Sequence, residues 1–131
     1  MALKNKVARA LLVGMTGVAT LALTAGTAQA SNFRTNVTMP EQTTVRGTAS
    51  FLSDGDSLAV CDRRSDGRSV AVDVEDPTTG KTVMRVRANG NGQCSRKDSE
   101  DTNLVEGRRY VFWSDVSGSG DGYTRLRAAV A

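Results

Sequence analysis

The chain has 131 residues, 39% of them hydrophobic and 24% charged, with 17 Lys and Arg, 14 Asp and Glu, two cysteines and no histidine. Without histidine, Ser-His-Asp and Cys-His nucleophilic systems, histidine general bases and nearly all zinc sites are excluded. Setting aside Lys4, Lys6 and Arg9 leaves 14 basic residues against 14 acidic ones, so no global basic field points to nucleic acid.

Those three basic residues precede an apolar run, residues 10–25, that closes on Ala28-Gln29-Ala30. A charged start, a short apolar stretch and a small-residue end predict a secretory signal peptide, residues 1–30, cleaved after Ala30. Nothing later in the chain approaches a transmembrane helix of about 20 apolar residues. Residues 31–131 then form a single secreted domain, with a core marginal in the surface it buries.

Past residue 31 no helical periodicity of useful length appears, whereas short stretches alternate apolar and polar residues between turn signals. This predicts an all-β chain with strands at 33–38, 43–51, 57–61, 68–75, 81–88, 108–116 and 123–130, a seven-stranded β-sandwich. Asp54-Gly55, Asp66-Gly67, the stretch from Asp76 to Gly80, and Asp121-Gly122 punctuate it as turns. The inward face carries Val45, Ala49, Phe51, Leu58, Val60, Val70, Val72, Val74, Met84, Val86, Tyr110, Phe112, Leu126 and Val130. Asp73, Arg85, Arg87, Arg125 and Arg127 fall on the opposite, solvated face. Residues 89–103, rich in Asn, Gly, Asp and Ser, read as the least structured connection.

Cys61 and Cys94, an even pair in an exported chain, predict one disulfide. Closing a loop of roughly 30 residues stabilises by about 3.5 to 4 kcal/mol in the chain-entropy model. Around the first cysteine, CDRRSDGRS (residues 61–69) gathers charge of both signs, and CSRKDSED (residues 94–101) does the same around the second. The pairing is expected to bring the two stretches to one pole as a hydrated ionic network. Exposed pairs of that kind contribute about 0 to 1 kcal/mol each.

Candidate chemistry is sparse. The visible carboxylate pairs sit in turns beside glycine, where bonding to the local backbone is their ordinary role. A calcium loop starting at Asp62 would put Arg64 among the ligands. No metal, cofactor or enzymatic activity is therefore predicted. The bias that remains is arginine, 12 of the 14 basic residues after residue 30. Arg85 with Arg87, and Arg125 with Arg127, are expected to share strand faces and so to form cationic stripes that meet carboxylates or phosphates. The alternative is a solvated face that protects the sheet against aggregation.

Two resemblances add to this reading. NLVEGRRY, residues 103–110, with Leu104, Gly107 and Tyr110 at three-residue spacing, resembles the tyrosine corner of immunoglobulin-like and fibronectin type III domains. It implies an immunoglobulin-like sandwich, with Cys61 and Cys94 meeting at one pole and not in the antibody pattern. The stretch at residues 47–70, through Gly55-Asp56, Cys61-Asp62 and the run from Asp66 to Val70, resembles small uncharacterised secreted proteins of actinobacteria. That resemblance implies localisation and size only.

The function expected from all this is a secreted, non-catalytic interaction module for a cell-surface, cell-wall or extracellular partner, with Arg85, Arg87, Arg125 and Arg127 as binding residues. The alternative is a secreted serine-protease inhibitor, with the loop 94–103 presented to the protease and Arg96 and Lys97 as the basic residues that enter its pocket.

Overall fold

The computed structural model describes residues 29–40, 42–90, 92–118 and 123–131. The predicted leader, save its last two residues, lies outside these, as does the Asp121-Gly122 turn. Eight strands follow in chain order: β1 (Phe33–Thr38), β2 (Val45–Leu52), β3 (Ser57–Asp62), β4 (Ser69–Asp76), β5 (Lys81–Asn89), β6 (Cys94–Lys97), β7 (Arg109–Val116) and β8 (Thr124–Val130). They form two four-stranded antiparallel sheets, ordered β1-β2-β3-β6 and β5-β4-β7-β8. Among the described residues no helix is long and apolar enough to cross a membrane.

The inner faces of both sheets meet in one core. Phe33, Phe51 and Phe112, from β1, β2 and β7, stand at its centre, with ring centroids 4.9 to 6.0 Å apart. Leu58 and Val60 of β3 oppose Val70, Val72 and Val74 of β4 and Met84 and Val86 of β5, all buried. Full burial of such side chains contributes about 1.5 to 3 kcal/mol each. Gly47 of β2 is buried where a Cβ would overlap the Cys61 carbonyl oxygen and crowd both methyl groups of Val70, so only glycine fits.

Among the described residues there are eight strands where seven were expected. Residues 94–97, placed in an unstructured connection, pair instead with β3: Cys94 opposes Cys61, Arg96 opposes Ala59 and Lys97 opposes Leu58. CSRK has no apolar alternation to betray a strand. The ladder to β3 and the Cys61–Cys94 disulfide hold it, with Cα atoms 4.0 Å apart. That closeness suits a directly opposed, non-hydrogen-bonded position of an antiparallel pair, normally about 4.5 Å.

The direction of β6 also overturns the single ionic pole. β6 runs back along β3, so Asp98 to Asp101 reach the β2–β3 turn, where the Ser99 amide donates to the Gly55 carbonyl at 2.9 Å. CDRRSDGRS stays at the other end, as the β3–β4 connection. The charges are thus divided between the two poles, with Arg46 bridging Asp66 at 2.7 Å at one and Arg96 reaching Asp98 at 3.8 Å at the other.

Before β7 the chain turns through residues 105–108, where the Arg108 amide donates to the Val105 carbonyl at 3.1 Å. The Tyr110 hydroxyl accepts from the Val105 amide at 3.0 Å. Gly107, at φ 74°, donates its own amide to the Ala131 carbonyl at 2.9 Å. Tyr110 is itself buried, so one side chain joins the core to the entry of β7.

Candidate functional site

The carboxylates in turns act on their own backbone. Asp62, Asp66, Asp76 and Asp98 each accept from the amide two residues on, at 2.9, 3.1, 2.9 and 3.0 Å. The other oxygen of the buried Asp62 accepts from the Gly90 amide at 3.2 Å, tying the β3–β4 connection to that after β5. The first aspartate of the charged run CDRRSDGRS is thus an internal brace. Among the described residues no three or more of His, Cys, Asp and Glu converge as metal ligands.

The outer face of the β5-β4-β7-β8 sheet is different. One row of side chains crosses all four strands: Arg85 opposes Asp73, Asp73 opposes Trp113, and Trp113 opposes Arg125. Asp73 was expected to be solvated, but it is only 6% exposed. As the outward residue of an inner strand it is flanked by the long side chains of Arg85 and Trp113 on either neighbour. Burial raises the Asp73 pKa from its ordinary value, and Arg85 works against that rise.

Arg85 ties the row together. Its Nε lies 3.3 Å from Asp73 Oδ1, and one terminal nitrogen lies 3.4 Å from Asp115 Oδ2. The other terminal nitrogen donates to Tyr123 Oη at 3.4 Å. The Tyr123 hydroxyl first, and then the two carboxylates, hold the guanidinium charged more firmly than usual, against the opposing effect of burial. Arg87, one step along the same face, donates to Ser69 Oγ at 3.0 Å. The face therefore alternates charge and does not form the expected cationic stripe.

Arg125 and Arg127 do not share a face, which corrects a second expectation. A bulge in β8 sets Arg127 opposite Phe112 and Arg125 opposite Trp113, and these neighbours on β7 point to opposite sides. Arg127 accordingly leans over the core ring of Phe33, its guanidinium carbon 6.0 Å from the ring centroid. Arg96 and Lys97 lie on the other sheet, in β6.

Two open cavities flank the Arg85 row. One, of about 320 Å³, is lined by Asp73, Glu75, Thr82, Trp113 and Tyr123. The other, of about 300 Å³, is lined by Arg68, Ser69, Arg87, Asn89 and Ser117 with Gly67 and Gly90. The chain has three Phe, two Tyr and one Trp. The Phe residues and Tyr110 are in the core, and the remaining two, Trp113 and Tyr123, line the same cavity. Sequence reasoning passed over Glu75, Trp113 and Tyr123. The period-two signal for Trp113 was present, since the residue after inward Phe112 must face out. No protein-family model, no curated protein and no solved structure matches the chain.

Proposed function

We propose that the protein is an exported, non-catalytic binding module that meets a cell-surface, cell-wall or extracellular partner through the outer face of the β5-β4-β7-β8 sheet. The observation that carries this reading is the Arg85–Asp73–Trp113–Arg125 row, flanked by two open cavities on one rigid sheet. Ligand sites favour such concave surfaces, where a few polar groups and aromatic rings converge. The signal-peptide pattern of residues 1–30 supports export, and the disulfide suits an oxidising compartment. Lack of histidine supports a role without catalysis.

The strand order supports an immunoglobulin-like arrangement with one additional strand at the start. β3 and β4 part to opposite sheets, β4 and β5 form a hairpin, and β6 returns to β3. The bond from the Val105 amide to the Tyr110 hydroxyl is in keeping with the tyrosine corner of that class. The protease-inhibitor alternative has less support, because Arg96 and Lys97 sit in a laddered strand and not in a projecting loop.

The test is retention of the secreted protein on isolated actinobacterial cell envelopes. Replacing Arg85, Arg87 and Arg125 together with serine is expected to reduce retention severalfold, while Arg127→Ser leaves it near wild type. Equal retention of all the proteins contradicts the assignment of this face.

A further inference from the structure

The cavity beside Trp113 and Tyr123 has a chemical character that narrows its ligand, on the reading that this face is a binding surface. Its volume, about 320 Å³, lies at the low end of the roughly 300 to 1,000 Å³ of ligand sites, enough for one ring and not for a large cofactor. Both aromatic side chains outside the core are here, and Tyr123 is 52% exposed. Exposed aromatic rings offer flat apolar faces against which the C–H face of a ring can lie.

The polar groups decide between ligand classes. Trp113 Nε1, a donor, is buried and lacks a hydrogen-bond partner among the described residues, while the acceptor Asp73 Oδ1 lies 3.3 Å from Arg85 Nε. Glu75 supplies a second carboxylate and Thr82 a hydroxyl. An organic cation would suit the carboxylates but give the indole N–H nothing to donate to. A phosphate or sulfate would accept from the indole, yet Asp73 and Glu75 would repel it. A hydroxyl donates and accepts at once, so neighbouring hydroxyls on one ring answer both kinds of group. The charge agrees, because the Asp73 carboxylate is already opposed by Arg85 and does not call for a cationic ligand. Tyr123 precedes β8, and its hydroxyl accepts from Arg85 at 3.4 Å, which fixes the ring at the edge of the cavity.

We propose that this cavity is the subsite for one uncharged sugar ring of an extracellular polysaccharide, lying against the Trp113 and Tyr123 rings with its hydroxyls bonded to Asp73 and Glu75. Since the cavity is open, the remainder of the polymer extends past it over the outer face.

Trp113 is the only tryptophan in the chain, so its fluorescence reports on the subsite directly. The experiment titrates the secreted, oxidised protein with short oligomers of glucose, N-acetylglucosamine, xylose and mannose, and separately with a uronic-acid oligomer and tetramethylammonium. The expected result is a saturable change in emission with at least one neutral oligomer. Glu75→Gln and Tyr123→Ala each weaken it by roughly tenfold or more, the scale of one lost charge-assisted hydrogen bond or aromatic contact. Both variants alter residues at the cavity and outside the core, and unchanged thermal unfolding shows that they remain folded. A response to tetramethylammonium alone, or to the uronic-acid oligomer alone, overturns the sugar assignment. So does silence toward every neutral oligomer. If envelope retention persists in those cases, the binding face stands and the sugar subsite falls. Loss of both overturns the two together.

Discussion

Tyr110 and Asp73 show how single residues carry both fold and site. Tyr110 fills the core with its ring and satisfies the Val105 amide with its hydroxyl. Tyr110→Phe keeps the ring and leaves that amide without its partner. It is expected to lower stability by about 1 to 3 kcal/mol, read from urea unfolding, and no change would remove the corner as a structural element. Asp76 and Asp73 should act in opposite directions on acid stability. The Thr78 amide, with Arg108 beside it, lowers the Asp76 pKa, so the native state favours the carboxylate. Its contribution is in force above the ordinary value near 4 and is lost as pH falls through the lowered value. Burial raises the Asp73 pKa, so between the ordinary and the raised value the native state binds more protons than the unfolded chain. Stability from Asp73 therefore declines as pH rises from about 4 through the raised value. Asp76→Asn is expected to be less stable than wild type at neutral pH and to lose less on acidification. Asp73→Asn is expected to be at least as stable as wild type at neutral pH, without that decline. Superimposable profiles of unfolding midpoint against pH would contradict both assignments.

Among the elements, the seven predicted strands appear with no end displaced by more than two residues. Alternation and Asp-Gly turns are local signals, so they survive reading in one dimension. β6 was not legible because nothing in CSRK alternates, and its ladder and disulfide are contacts with residues more than 30 positions away. The β8 bulge was hidden for the opposite reason: Arg125, Leu126 and Arg127 do alternate in sequence, and the register shift against Phe112 and Trp113 appears only once the strands are paired. The β6 geometry makes a direct prediction. In the oxidised protein the bonds after Arg96 and Lys97 resist trypsin, since their backbones are held against Ala59 and Leu58. Reduction of Cys61–Cys94 releases the edge strand, and peptide mapping is expected to find the first cuts there. Equally rapid cleavage of the oxidised form would restore the picture of a projecting loop.

On the scale of the whole molecule, polarity is partitioned. The inner faces hold three Phe and the branched aliphatic residues, the poles hold braced turns, and one outer face gathers the remaining aromatic residues between opposed charges. The arginine bias was legible in composition, and the structure brings Arg85, Arg87 and Arg125 to that face while turning Arg127 toward the core edge. The aromatic and acidic half of the site was less legible. Asp73 reads as a solvated residue until Arg85, Trp113 and Tyr123 are folded around it. The most direct measurement is amide hydrogen exchange of the secreted protein with and without a soluble envelope polysaccharide fraction. Protection is expected to concentrate in residues 71–75, 82–87, 111–115 and 123–125. Protection confined to residues 94–101, with the β5-β4-β7-β8 sheet unchanged, would contradict the assignment of the binding face.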